Sequence, residues 1–160
     1  MLHPLPHHQH PPQQHRLSAD FSCRIRIYWE DTDAGGVVFY ANYLKFFERA
    51  RTEWLRSAGF SQEALRHETQ RMFVVSSTDI RYLAPARLDD EVDVSVRVVE
   101  MGRASFLIDQ QARRGETVLA EGRIRVGCVD ALSFRPARMP RALIDALPLL
   151  PDPQVSQSAP

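Results

Sequence analysis

The chain has 160 residues, of which 44% are hydrophobic, enough for one globular domain with a single core, since a chain of this size buries roughly 70% of its unfolded surface. Twenty basic and twenty acidic residues cancel, so no overall field draws the protein to nucleic acid or to an anionic membrane. Cys23 and Cys128 are the only cysteines; with no apolar run long enough to span a bilayer and no signal-peptide pattern, the expectation is a cytoplasmic protein with reduced thiols and no membrane span.

Residues 1–20 are crowded with His, Pro and Gln and offer little to bury, which predicts a disordered tail. Five of the six histidines (His3, His7, His8, His10 and His15) lie there, and a tail without fixed geometry or supporting hydrogen bonds favours adventitious capture of metal over a functional site. A domain over residues 21–147 follows, then a proline-rich C-terminal tail, 148–160, expected to fray.

Within the domain, Cys23, Ile25, Ile27 and Trp29 alternate with Arg24, Arg26 and Tyr28, which predicts a strand with one buried face. From Tyr43 the period becomes helical. Tyr43, Phe46, Phe47, Ala50, Trp54 and Ala58 form one stripe, with Lys45, Glu48, Arg49, Thr52, Glu53 and Arg56 largely off it. Asn42 is the expected cap and Gly59 the residue past the helix end, while Ser61 would cap a second short helix through about His67. Strands are then expected over 73–83, 91–100, 104–112 and 117–129, with hairpin connections at Met101-Gly102-Arg103 and Arg113-Arg114-Gly115-Glu116. Residues 140–147 read as a last short helix. One long helix against a mainly antiparallel sheet is an α+β plan.

The stretch from Glu30 to Tyr43, EDTDAGGVVFYANY, is where the chemistry is expected. Asp31 and Asp33 precede Ala34-Gly35-Gly36, where glycine permits a tight turn or close approach to a ligand, and a helix begins just beyond. A carboxylate facing the free N–H groups and positive dipole end of a helix suits attack on a carbonyl.

RIYWEDTDAGGVVFYANYLKFFERARTEWLRSAGF, then YLAPARLDDEVDV and the late CVD, resembles the 4-hydroxybenzoyl-CoA thioesterase family of hotdog-fold proteins over about residues 23–140. Among these it is most similar to bacterial acyl-CoA thioesterases associated with the Tol-Pal envelope system. The resemblance implies a sheet wrapped around a central helix, dimers with a continuous sheet, often tetramers, and hydrolysis of an acyl-CoA thioester without metal or bound cofactor. It carries the catalytic carboxylate to Asp33, as nucleophile or general base, and the oxyanion donor to the backbone N–H of Tyr40, with Gly35, Gly36 and Val37 along the substrate. Tyr40 stands where envelope-associated members commonly have His; a backbone donor is unaffected by that difference.

Other carboxylates have plainer accounts. Glu30 and Asp31 are expected to be solvated or structural, and Glu48 and Glu53 to be occupied by ion pairs with Arg51 and Arg49. Arg81, Arg87, Arg135 and Arg138 are candidates for CoA phosphates. A dehydratase on this fold would need a core histidine, and His67 falls beyond the central helix. The remaining alternative is a non-catalytic module that binds acyl-CoA or acyl-carrier protein in an envelope or lipid-synthesis complex.

Overall fold

The structure, a computed structural model, describes residues 20–148. Both tails read from composition, with the five clustered histidines, fall outside the described residues apart from Asp20 and Pro148. The order is β1 (Phe21–Arg26), a 3-10 turn (Trp29–Asp31), α1 (Asn42–Ser57), α2 (Gln62–Thr69), β2 (Arg71–Tyr82), β3 (Glu91–Met101), β4 (Ser105–Arg114), β5 (Thr117–Asp130) and α3 (Arg141–Ala146). The strands form one antiparallel sheet in the order β1-β3-β4-β5-β2. Helix α1 packs chiefly over β1 and β3, so the sheet wraps a central helix as the hotdog architecture requires.

The aromatic stripe explains that packing. Tyr43, Phe46, Phe47, Ala50, Trp54 and Ala58 are all buried, and the sheet answers with Val92, Val94 and Val96 from β3, Phe106 and Ile108 from β4, and Ile124 and Val126 from β5. Fully burying a side chain the size of Phe stabilises by roughly 1.5–3 kcal/mol, so the stripe outweighs the modest propensity of an aromatic-rich helix. Phe47 is accommodated because β5 carries Gly122: a Cβ there would sit 2.6 Å from the ring Cε2. The far end of α1 closes as its sequence indicates. Gly59 adopts φ +84°, its N–H reaches the Arg56 carbonyl, and the Phe60 N–H reaches the Leu55 carbonyl, a Schellman closure. Ser61 then caps α2 through the Ala64 N–H at 3.1 Å.

Three expectations need correction. The first strand stops at Arg26, and Trp29 is 80% exposed instead of continuing the buried face. The cause is the Asp31 carboxylate, which accepts the Tyr28 N–H at 2.9 Å and bends the chain into the 3-10 turn. Asn42 is not the cap of α1 but a residue of the helix, its side chain taken by Asp31 at 3.0 Å. Ion pairs on α1 also differ from the expected set: Arg56 pairs with Glu53 at 2.6 Å, Glu48 accepts the Thr52 hydroxyl at 2.7 Å, and Arg51 turns inward to Gln110.

Candidate active site

Between the 3-10 turn and α1 the chain makes a small hairpin. Thr32 bridges Val38, the Asp33 N–H reaches the Val37 carbonyl at 2.9 Å, and the Gly36 N–H reaches the Asp33 carbonyl at 3.0 Å. The two glycines serve different ends. Gly36 has φ +75° in open space, so the demand is conformational. Gly35 donates its N–H to Asp33 Oδ1 at 2.8 Å, and a Cβ there would lie 3.1 Å from that same oxygen. The Asp33 carboxylate is therefore oriented by the turn while remaining exposed to solvent.

Asp31, two residues earlier, plays a different part. It is buried, with Oδ2 taken by the Tyr28 N–H and Oδ1 by the Asn42 amide. Both oxygens being satisfied, this carboxylate is a structural tie between the turn and α1.

Helix α1 begins with an open N-terminus. No side chain caps it, and its first turn holds no acid. The Asn42 N–H closes back on the Phe39 carbonyl at 2.8 Å, but the Tyr40 N–H meets no acceptor among the described residues. An unmet donor beside the positive end of a helix dipole is suited to a developing oxyanion. The next peptide is held by Tyr82, whose hydroxyl donates to the Tyr40 carbonyl at 3.0 Å. Rings of Phe39, Tyr40, Tyr43 and Tyr82 cluster around it, with Tyr40–Tyr82 centroids at 6.1 Å and Tyr43–Tyr82 at 5.6 Å. Burial pushes both the Tyr82 and Tyr43 hydroxyls above the usual phenol range, so each keeps its proton at neutral pH.

A third segment fixes the hairpin against the sheet. Ala86, fully buried, donates its N–H to the Tyr43 hydroxyl at 3.2 Å and accepts the Val38 N–H at 2.9 Å, while Arg87 bridges Val37. This loop is held by Asp90, which accepts the Arg87 N–H at 2.8 Å and Arg114 Nη1 at 2.6 Å. Burial works to raise the Asp90 carboxyl, but those hydrogen bonds and the Arg114 charge prevail and hold it below the ordinary value.

The structure brings Asp33, Gly35, Gly36, Val37, Tyr40 and Arg87 into this one region. Arg81 is set apart: it pairs with Glu121 at 3.1 Å across β2 and β5, whose side chains alternate with the buried Ala120 and Gly122 face. Arg135 and Arg138 belong to the segment after β5, at the opposite end of β2 from Tyr82. Sequence reasoning placed Tyr43 in the core stripe but did not single it out at the site, nor Tyr82, Ala86 or the Asp90–Arg114 pair. Among the described residues no group of three or more His, Cys, Asp or Glu could hold a metal ion, and no helix is long and apolar enough to cross a membrane.

Residues 27–147 match the model of the Thioesterase-like superfamily. A Haemophilus influenzae protein named acyl-CoA thioesterase YbgC is 44% identical over 125 residues, covering 78% of this chain and 92% of that protein. An Escherichia coli O6:H1 protein named acyl-CoA thioester hydrolase YbgC is 43% identical over the same length, with the same coverage. Among solved structures, a probable thioesterase from Bartonella henselae superposes with a TM-score of 0.73 at 32% identity, covering 76% of this chain and 100% of that one. The chain belongs to the Thioesterase-like superfamily of hotdog-fold proteins.

Proposed function

We propose that this protein is an acyl-CoA thioesterase, hydrolysing the thioester to a free acid and CoA. The reading rests on one juxtaposition: an exposed, turn-oriented Asp33 carboxylate on the hairpin that leads into the open N-terminus of α1, where the Tyr40 N–H is unmet among the described residues. The relatives named as acyl-CoA thioesterases support it.

In this mechanism the thioester oxygen accepts the Tyr40 N–H. Asp33 attacks the carbonyl carbon itself, giving an anhydride that water opens, or takes a proton from an attacking water. In either route the C–S bond breaks with its electron pair on sulfur, and the thiolate, a good leaving group, departs as CoA and takes up a proton. The phenol of Tyr40 contributes at most to packing or substrate fit. Gly35, Gly36 and Val37 lie along the substrate, and Arg87, beside Val37 and without an ion pair among the described residues, is better placed for CoA phosphates than Arg81, which pairs with Glu121.

The proposal includes a homo-oligomer. Strand β2 ends the sheet order and leaves an unpaired edge that a second copy can complete, giving a dimer or a tetramer with the site near the subunit boundary. Acyl-carrier protein as an alternative carrier, a cytoplasmic location and a Tol-Pal setting belong to the same reading.

A panel of acyl-CoA and acyl-carrier-protein thioesters, assayed for thiol release, tests it. Turnover with at least one acyl-CoA is the expected result. Tight binding without thiol release would assign the chain to a binding module instead.

A further inference from the structure

Helix α1 and strand β2 are near each other at two places. At one the Tyr40 peptide meets Tyr82; at the other the third and fourth turns of α1 face Phe73, Val74 and Val75. Leu44, Glu48, Arg51 and Leu55 recur at spacings of four, three and four, which places them on one helix face. Leu44, 43% exposed although apolar, stands one turn after Tyr40 and one turn before Glu48, which lines a cavity of about 100 Å³.

That cavity has apolar walls, including Trp54, Phe73, Phe106 and Ile108, and polar groups from Glu48, Arg51 and Gln62. Arg51 is unusual. Its guanidinium is largely buried, its hydrogen bond among the described residues is from Nη1 to Gln110 Oε1 at 2.8 Å, and no carboxylate there lies within ion-pair distance. Gln110 is 1% exposed and fully committed, its amide donating to the Phe47 and Ser95 carbonyls at 3.1 Å each. Gln110 thus anchors one nitrogen of Arg51, and a guanidinium has further N–H donors to offer the cavity. Burial depresses the Arg51 guanidinium, and the nearby Glu48 charge opposes that effect. Keeping a cation among apolar walls costs stability unless its donors are met.

We infer that this cavity receives the far end of the acyl chain and selects chains that carry a hydroxyl there. This rests on the proposed acyl-CoA hydrolysis and names its substrate class. A hydroxyl oxygen can accept from Arg51 and donate to Glu48, satisfying both, whereas a carboxylate would be repelled by Glu48. A cavity of about 100 Å³ has room for a chain end and its oxygen. From Asn42, the first residue of α1, to Arg51 the helix axis advances about 14 Å at 1.5 Å per residue, and a helical side chain leans back toward the N-terminus. The chain implied is therefore of medium length.

The test compares kcat/KM of the full-length protein for matched pairs of acyl-CoAs, unsubstituted and hydroxylated at the chain end, over a medium-length series. One charge-assisted hydrogen bond gives about 10- to 100-fold discrimination, so the hydroxylated member should win by that factor at one chain length. In Arg51→Met the ratio should collapse toward one, and in Glu48→Gln it should fall less, because the amide can still accept. Equal rates within every wild-type pair, a preference for a terminal carboxylate, or an Arg51→Met variant that loses both members of a pair by the same factor would overturn the inference. The last result would leave Arg51 as a tie between α1 and β4. Absence of thiol release from every thioester defeats the proposed activity itself, a result distinguishable from hydrolysis without preference.

Discussion

The Tyr82 hydroxyl donates to the Tyr40 carbonyl oxygen at 3.0 Å, joining the last residue of β2 to the residue that offers its N–H before α1. The strand end thus holds the peptide that follows the donor. Tyr82→Phe keeps the ring contacts and loses this bond. A neutral hydrogen bond contributes about 0.5–1.5 kcal/mol, so kcat should fall by about 2- to 10-fold with a slightly lower Tm. Unchanged kcat in a folded variant would show that Tyr82 does not position the donor.

Backbone and side chain at the site should respond differently to substitution. Tyr40→Phe should retain most activity, since the proposed donor is the main-chain N–H. Gly36→Val should be severely impaired, because φ +75° is a conformation that a β-branched residue adopts only under strain. A steady-state comparison of the two folded variants checks this; an inactive Tyr40→Phe beside a healthy Gly36→Val would make the phenol the reacting group.

Gly122→Ala tests the packing of α1 on the sheet. Its Cβ would lie 2.6 Å from Phe47 Cε2, and overpacking of this kind costs about 1–3 kcal/mol. Chemical denaturation should show a lower midpoint, and Phe47→Leu on the same background should recover part of it. A Gly122→Ala protein as stable as wild type would mean that α1 shifts freely over the sheet.

Acid sensitivity should trace in part to Asp90. Its folded-state carboxyl is held below the ordinary Asp value of about 3.9, so its contribution is complete above that value and is lost as pH falls through the lower, folded value. Arg114→Met removes a hydrogen bond and a charge that depress it. Thermal melts from neutral pH down to about pH 3 should show a variant less stable at neutrality and less sensitive below about pH 4. Parallel curves would contradict this assignment.

Much of this architecture could be read from periodicity, because the residues that specify it are local. The aromatic stripe of α1, the Gly59 closure, the Ser61 cap and the alternating valines of β3 each carry their signal within a few positions. The Asp33 turn was legible for the same reason. What escaped depends on residues far apart in the chain. Nothing local to Tyr82 announces a bond to Tyr40, and nothing in Glu48-x-x-Arg51 shows that the guanidinium prefers Gln110 to its helical neighbour. Trp29 was misplaced because alternation continued through a position where the Asp31 carboxylate had already turned the backbone.

The central claim is that the Asp33 carboxylate does the chemistry. Asp33→Asn is close to isosteric and can still accept the Gly35 N–H through its amide oxygen, so folding should survive while the ionised group is lost. Single-turnover and steady-state thiol release should be measured on protein purified free of host thioesterases. The account predicts a fall in turnover of about 10²- to 10⁴-fold with an unchanged melting profile. Near wild-type turnover in folded Asp33→Asn would contradict it and remove Asp33 from the mechanism.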